Sequence, residues 1–533
     1  MQGGFQLKKL TAWILLLSLL CSLLSGCGTE EEESYVPTGD AIVLDGMEPD
    51  DFVEEEEEPQ KVTLAYNPDR SLNPLIGYSQ NNRVLFSLMY QGLFTVNGNF
   101  EAVPILCSAF QVAPSNMIYT CYVDPAATFS DGSPVTPEDV IASYQYAMEN
   151  DYYKGRFRYY LSEVKLSSDG SGVTFMLTTP YENFPLLLDV PIVKAEDVAA
   201  ENPRGTGPYV FTPGTTGPSL TRVHNWWAKV ETPVMADTVR LVTAETDTQV
   251  RDEFEFGDVS LVVANPLSDS YADFRCDYEL WNIDSGVFLF LGCNVLYSDY
   301  FDDGFLRTKL TYAIDREGII KDNYNNRAQA ASLCISPSHP SYNEALASQY
   351  AFDPIKFIDA IGSWNIPKDP KQPDRKMKLL VNSDDSARLR TARDIAAALT
   401  EYGLPTETLE YGTNTYKSVL LANNWDMYLG QTRLPPNMDL SEFFRHWGDL
   451  SSGGLPTDSL LKMCKDTLEN SGASYDLLKL LAEDGRIIPL LFGYHAVYAE
   501  RGLFYNLNPT RDNAFYYTMG RTLAGIQIDT IYE

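Results

Sequence analysis

The sequence predicts a mixed α/β fold, on three observations. Met377–Val381, Ser386–Tyr402 and Thr406–Tyr411 read in order as strand, helix and strand, the pattern of a partly parallel sheet covered by helices. Other strand-like runs are spread along the whole chain rather than gathered in one block. Apolar residues make up 44% and charged residues 21% of the 533, a globular balance that excludes wholesale disorder, collagen and a multi-span membrane protein. At roughly 150 residues per domain, the length suggests about three or four globular units.

The N-terminus comes first in the chain. Lys8 and Lys9 precede an apolar stretch, Leu10 to Leu24, which is short for a membrane span of about 20 residues and suits a signal peptide. It ends in Leu24-Ser25-Gly26-Cys27, which resembles the lipobox of bacterial lipoproteins. There the signal is cut before the cysteine, whose thiol then carries diacylglycerol. The bland alternative is an ordinary secretory peptide with an incidental cysteine. From Gly28 to Gln60 come fourteen acids, including the runs Glu30–Glu33 and Glu54–Glu58, with no Lys or Arg. Such a segment repels itself too strongly to build a core and reads as a solvated, disordered tether.

The remaining body is expected to place strands at Val62–Tyr66, Val239–Thr243, Ser260–Ala264, Val287–Leu291, Met377–Val381, Met427–Gly430 and Ile487–Phe492. Pro114-Ser115-Asn116 reads as a hairpin turn. That hairpin brings Cys107 and Cys121 near each other, either as a disulfide or as buried free thiols. Thr136-Pro137-Glu138-Asp139 starts a helix: Thr136 caps, Pro137 suits the first helical position, and two acids face the positive helix end. Val140, Tyr144, Ala147 and Met148 then recur at helical spacing. The helix from Ser386 carries Leu389, Ala392, Ala396 and Leu399 on one face, and Gly403 and Pro405 end it.

Charge and chemistry exclude several functions. There are 73 acids against 40 Lys and Arg, a formal charge of −33, and the body without signal and tether still carries −21. A surface this acidic repels phosphate backbones, so nucleic-acid binding is excluded. The histidines His224, His339, His446 and His495 are isolated, and the cysteines show no C-x-x-C spacing, so no zinc or redox site is read. No Gly-x-Ser-x-Gly elbow, phosphate loop or dinucleotide fingerprint occurs. The chain is expected not to be an enzyme and to need no cofactor.

Several segments together resemble the family 5 extracytoplasmic solute-binding proteins of ABC importers, which bind oligopeptides, dipeptides or nickel complexes. These are Leu72-Asn73-Pro74-Leu75 with Leu88-Met89-Tyr90-Gln91-Gly92-Leu93, then Thr128 to Val140 with its Phe-Ser-Asp-Gly core, then Gly205-Thr206-Gly207-Pro208-Tyr209 and Asn225-Trp226-Trp227. Leu306-Arg307 to Ala313-Ile314-Asp315-Arg316-Glu317 and Ile488-Pro489-Leu490 follow in order. The resemblance implies a two-lobed periplasmic-binding-protein-like fold of type II, with a hinge and an interlobe cleft. It implies domain I over 61–85, 204–284 and 490–533, domain II over 86–203, and domain III over 285–489, with crossings near Ser285–Leu291 and Pro489–Gly493. The signal peptide takes 1–26 and the tether 27–60.

The same resemblance implies a lipoprotein anchored through Cys27 to the outer face of a bacterial cell membrane, working as a single copy. It would capture a peptide or other small solute and deliver it to permease subunits with their ATPases. A lipoprotein of this fold serving as sensor, adhesin or surface chaperone is the alternative. Peptide binders of the family place an Asp for the ligand's ammonium shortly after the strand equivalent to Asp426–Gly430. This chain instead reads Gln431-Thr432-Arg433-Leu434-Pro435-Pro436-Asn437-Met438-Asp439. Arg433 therefore becomes the leading ligand contact, its fork suited to a carboxylate or phosphate. The alternative pairs Arg433 with a neighbouring acid such as Glu442, and Asp439 could replace the missing Asp only through a different loop path. Tyr78, Ser79, Trp447 and Tyr494 lie near segments that line the cleft in this family, with Gln80 and His495 beside them. His446 and His495 are read either as structural or as ligands to a bound metal.

Overall fold

The computed structural model describes residues 61–76, 79–215, 217–264, 274–367 and 374–528. The signal-like segment with Cys27, the acidic tether and Tyr78 lie outside them. In chain order come β1 (Thr63–Tyr66), α1 (Gln80–Met89), β2 (Phe94–Val96), β3 (Ala102–Pro104), β4 (Cys107–Val112) and β5 (Ile118–Val123). Then follow α2 (Pro137–Glu149), α3 (Asp151–Phe157), β6 (Leu161–Leu166), β7 (Val173–Leu177), β8 (Tyr209–Thr212), β9 (Ser219–Arg222) and β10 (Thr238–Thr243). Next are α4 (Asp247–Glu255), β11 (Leu261–Ala264), β12 (Tyr278–Cys293), α5 (Arg316–Tyr324), β13 (Ala328–Ala330) and α6 (Pro354–Ser363). The chain ends with β14 (Met377–Asn382), α7 (Ser386–Glu401), β15 (Thr406–Tyr411), α8 (Thr413–Ala422), β16 (Met427–Arg433), α9 (Asp458–Glu469), α10 (Ser474–Asp484) and β17 (Ile487–Glu500). Shorter helical turns are left unnumbered.

Local chemistry accounts for the best-defined elements. Thr136 accepts a hydrogen bond from the Asp139 amide while the Asp139 carboxylate accepts from the Thr136 amide at 2.9 Å, a reciprocal cap with Pro137 in the first turn. Val140, Tyr144 and Ala147 of α2 are buried. Asp385 caps α7, whose buried stripe is Ala392, Ile395, Ala396 and Leu399. β14 pairs in parallel with both β15 and β16, as strands joined by a helical crossover do.

Among the described residues, eleven strands join one sheet in the order β15-β14-β16-β12-β17-β11-β1-β10-β9-β8, with β13 added to β17. A separate four-stranded antiparallel sheet runs β4-β5-β7-β6. Two lobes form around different cores. One buries Leu64, Leu85, Tyr144, Phe175 and Phe515 together, and the other buries Leu291, Leu379, Leu399 and Ile488. The 16-residue β12 and the 14-residue β17 belong to both lobes. They pair along their whole length, Tyr278 opposite Glu500 through Gly292 opposite Ile487, with a register shift between Asp284 and Val287. At that bulge Gly286 has φ +70, the left-handed region where a side chain is strained. A Cβ there would also stand 2.1 Å from Arg511 Nη2. The strand expected at Val287–Leu291 is thus only the middle of a much longer one.

Cys107 and Cys121 sit on the paired strands of their hairpin, and both are buried free thiols. A hydrogen bond with Cys107, followed by burial, raises the Cys121 pKa.

Candidate functional site

A cavity of about 790 Å³ lies between the lobes, within the range of small-molecule sites. The first lobe contributes α1, the α3 region from Asp151 to Tyr160, Tyr181, Asp189, and the Arg511-Asp512 pair. The second contributes Thr432 to Asn437, Asp439, Glu442, Asp449 and Leu450.

Arg433 is the last residue of β16 and pairs with Val287, which sets it at the hinge. Its Nε donates to the Ser285 carbonyl at 2.9 Å and its Nη2 to Asp512 Oδ1 at 2.8 Å. Arg83, one turn into α1, donates to the same Asp512 oxygen at 2.6 Å and lies over the Tyr152 ring at 5.5 Å. Arg511 places Nε 3.8 Å from Asp512 Oδ2 and donates through Nη2 to the Leu434 carbonyl. One carboxylate thus serves three guanidiniums from three separated segments.

The electrostatics follow. Burial by itself would raise the Asp512 pKa, but Arg433, Arg83 and Arg511 hold it well below the usual carboxylate range. Burial works against the charge of Arg433 too, and Asp512 and Tyr152 outweigh it and raise its pKa. Arg511 is less well compensated: burial, then Arg433, lower it to about 10. It remains charged at neutral pH, yet its Nε and Nη1 are buried without a hydrogen-bond partner. His495 is pushed down to about 3 by burial, then by Arg433 and Arg83, and is neutral. A second ion pair, Arg156 with Asp189 at 2.5 Å, forms another part of the wall.

The lobes also touch across the cleft. Tyr160 donates to the Asp439 carboxylate, whose other oxygen accepts from the Ser441 amide and hydroxyl at 2.9 and 2.7 Å. Asn437 donates to the Tyr181 hydroxyl, and Arg445 stacks on the Tyr159 ring at 3.6 Å. The Glu182 carboxylate accepts from the Ser471 amide at 2.9 Å.

The expected site residues fall unevenly. Arg433 lines the cavity, and its acidic partner is Asp512, not Glu442, which pairs instead with Arg445 at 3.2 Å. Asp439 also lines the cavity, with both oxygens engaged. Ser79 is buried at the N-cap of α1, where its carbonyl accepts from the Arg83 amide. Trp447 does not line the cavity; it is 93% exposed on left-handed backbone. Tyr494 lies off the cavity as well, hydrogen-bonded to Gln329. Strand alternation sends its neighbour His495 to the other face, into a small hollow shared with Gln80, Arg83, Arg511 and Asp512. His446 is exposed beside Asp458 at 3.3 Å. Among the described residues, no group of three or more His, Cys, Asp or Glu is arranged to hold a metal.

Sequence reasoning missed Arg83, Arg511, Asp512 and the α3 tyrosines. One local signal was present. Tyr152-Tyr153-Lys154-Gly155-Arg156-Phe157-Arg158-Tyr159-Tyr160 is dense in aromatic and basic residues within an acidic chain.

The sequence model of the bacterial extracellular solute-binding proteins, family 5 (middle region), matches residues 101–453. Protein XP55 of Streptomyces lividans is 25% identical over 304 residues, which are 54% of this chain and 53% of that protein. The dipeptide-binding protein of Escherichia coli (strain K12) is 25% identical over 339 residues, 56% of this chain and 59% of that protein. The chain thus spans little more than half the length of these curated relatives. Among solved structures, HbpA2 from Haemophilus parasuis aligns with a TM-score of 0.71 at 16% identity, covering 85% of this chain and 97% of that one. The shared feature is the fold: a two-lobed, periplasmic-binding-protein-like α/β architecture with a hinge and an interlobe cleft.

Proposed function

The chain belongs to the family 5 bacterial extracellular solute-binding proteins, and from that premise we propose that it is the solute-capturing component of an ABC importer. It binds a peptide or related small solute between its lobes and delivers it to the permease. The observation that carries this reading is the 790 Å³ cavity walled by both lobes, with Arg433 in its lining paired to Val287 beside the strand bulge. A solute touching both walls favours the closed arrangement over the open one by its differential contacts. The cavity offers hydrogen-bonding and charged groups from both lobes, which suits capture of a polar solute.

The protein works outside the cytoplasmic membrane, tethered by lipid on Cys27 through the acidic segment. Among the described residues no helix is long and apolar enough to cross a membrane. Domain I over 61–85, 204–284 and 490–533, domain II over 86–203 and domain III over 285–489 remain our division of the body. The test is mass spectrometry of protein purified without denaturation. A small solute released stoichiometrically on unfolding is expected, and adding it back should shrink the radius of gyration in small-angle scattering. Protein that carries no solute, and whose scattering is unchanged by a peptide digest, would refute the reading.

A further inference from the structure

We propose that the hinge end of the cleft is an oxyanion site, in which Arg83, Arg433 and Arg511 around Asp512 receive a carboxylate or phosphate group of the captured solute. The inference rests on the solute-capture reading above and adds the chemical class of the ligand.

Charge balance is the first argument. Three guanidiniums share one carboxylate, Arg83 at 2.6 Å, Arg433 at 2.8 Å and Arg511 at 3.8 Å. His495 is uncharged there and adds nothing to the balance. The next acid is Asp284, which faces Arg511. Its oxygens already accept from the Gly286 amide at 2.6 Å and from the Ser336 hydroxyl. Arg156 and Asp189 cancel each other. Counting Asp284 in full still leaves the cluster one positive charge in excess, inside a body whose overall charge is strongly negative.

Unused donors are the second argument. The Arg511 side chain is only 7% exposed, and its Nε and Nη1 have no hydrogen-bond acceptor. Buried polar groups in folded proteins are paired almost without exception, and a buried cation left short of acceptors is costly. A ligand oxyanion beside Arg83 and Arg433, whose side chains keep exposed area, supplies the missing charge. Guanidinium forks hold carboxylate and phosphate with two parallel bonds, so three of them converging on one locus are specific for such a group.

The third argument links the site to closure. Arg433 ends β16 of the second lobe, whereas Arg83 lies on α1 of the first. Arg511 follows β17 and precedes Phe515, which is buried in the first lobe's core. An anion bridging these arginines contacts both lobes at the hinge, so its affinity is spent partly on holding the closed form.

The test uses the full chain and native mass spectrometry with a mixed tripeptide pool prepared in three forms. These are N-acetylated free acids, N-acetylated amides and free-amine amides, with inorganic phosphate added in a separate arm. The acids are expected to be retained at least about tenfold more than either amide. Arg433→Gln and Arg83→Gln should each erase that preference, and Arg433→Lys should restore part of it, showing that the variant site is folded. Displacement of the acids by phosphate identifies a phosphate-accepting site, and resistance to it identifies a carboxylate site. Amides retained as well as acids, or acids retained unchanged by both glutamine variants, overturns the oxyanion site while solute capture stands. Retention of nothing in any arm removes solute capture, and the site falls with it.

Discussion

The arginine cluster makes His495 a reporter of its own electrostatics. In the fold, burial and then Arg433 and Arg83 hold this imidazole down to about 3, while Arg511 disfavours and Asp512 favours its proton. Unfolded, it titrates at its ordinary value of 6.5. Between those values the unfolded chain binds a proton that the native chain refuses, so stability falls as pH drops below 6.5 and continues to fall until the folded group titrates. At about pH 5 the gap is about 1.5 units, or about 2 kcal/mol, and solvent at the partly exposed ring trims this to about 1–2 kcal/mol. The experiment is urea unfolding at about pH 7 and about pH 5, comparing wild type with His495→Gln. His339, lowered to about 4 by burial, gives both proteins a common acid loss, so the difference isolates His495. The variant should lose about 1–2 kcal/mol less between the two pH values. Arg433→Gln should raise the imidazole's titration midpoint, read by proton NMR. Equal acid losses in wild type and variant, or a midpoint near 6.5 in the native protein, would mean that the cluster does not surround His495 as described.

Gly207→Ala would set a Cβ 2.3 Å from the Leu88 carbonyl oxygen and 2.5 Å from the Met89 carbonyl carbon; a loss of about 3 kcal/mol or more in urea unfolding is expected. Gly98→Ala, with open space around it, should change stability little. Tyr160→Phe removes the hydroxyl that reaches Asp439 across the cleft; scattering should show a more open ligand-free protein, and an unchanged profile would rule Tyr160 out as a latch. Asp131 is held at about 2, chiefly by the Ser133 hydroxyl and then by Arg204. Its stabilisation is therefore present above its ordinary value and lost as pH falls from about 4 towards 2. Because it is over a third exposed, Arg204→Gln should flatten that acid limb by no more than about 1 kcal/mol. Cys27→Ala should release the protein from membranes or leave its signal uncleaved; a variant still processed and detergent-partitioned would rule out the lipid anchor.

Much of the fold was legible because its signals are local. The Thr136–Asp139 cap, the β14–α7–β15 crossover and the Gly403 stop all act over a few residues. The long strands were legible only where one face is dry. Within the apolar run Val287–Leu291, Phe288 to Leu291 are buried, but Tyr278 to Asp284 has no fully buried residue, so it shows no alternation to read. Its strand character comes from β17, more than two hundred residues away, and from nothing in its own pattern.

The site was legible in the same measure. Arg433 could be singled out because the family resemblance implies an Asp shortly after β16, and the segment after that strand carries Arg433 and no such Asp. Its partner could not. Asp512 lies 79 residues beyond Arg433 and 429 beyond Arg83, and nothing local distinguishes it from the many other acids. The nearer choice, Glu442, is taken by Arg445 only three residues on, at 3.2 Å. For Asp512 the fold decides, because β16 delivers Arg433 to the hinge where the chain after β17 returns. The same geometry explains why an acidic protein can hold a cationic locus. At the surface, excess carboxylates are hydrated and screened within about 10 Å, so they set solubility and long-range repulsion. At the hinge the cluster is partly shielded from water, and the charge felt by a solute there is dominated by the few groups in contact. The oxyanion site we propose would accordingly draw on four residues from three distant segments, against the sign of the chain as a whole.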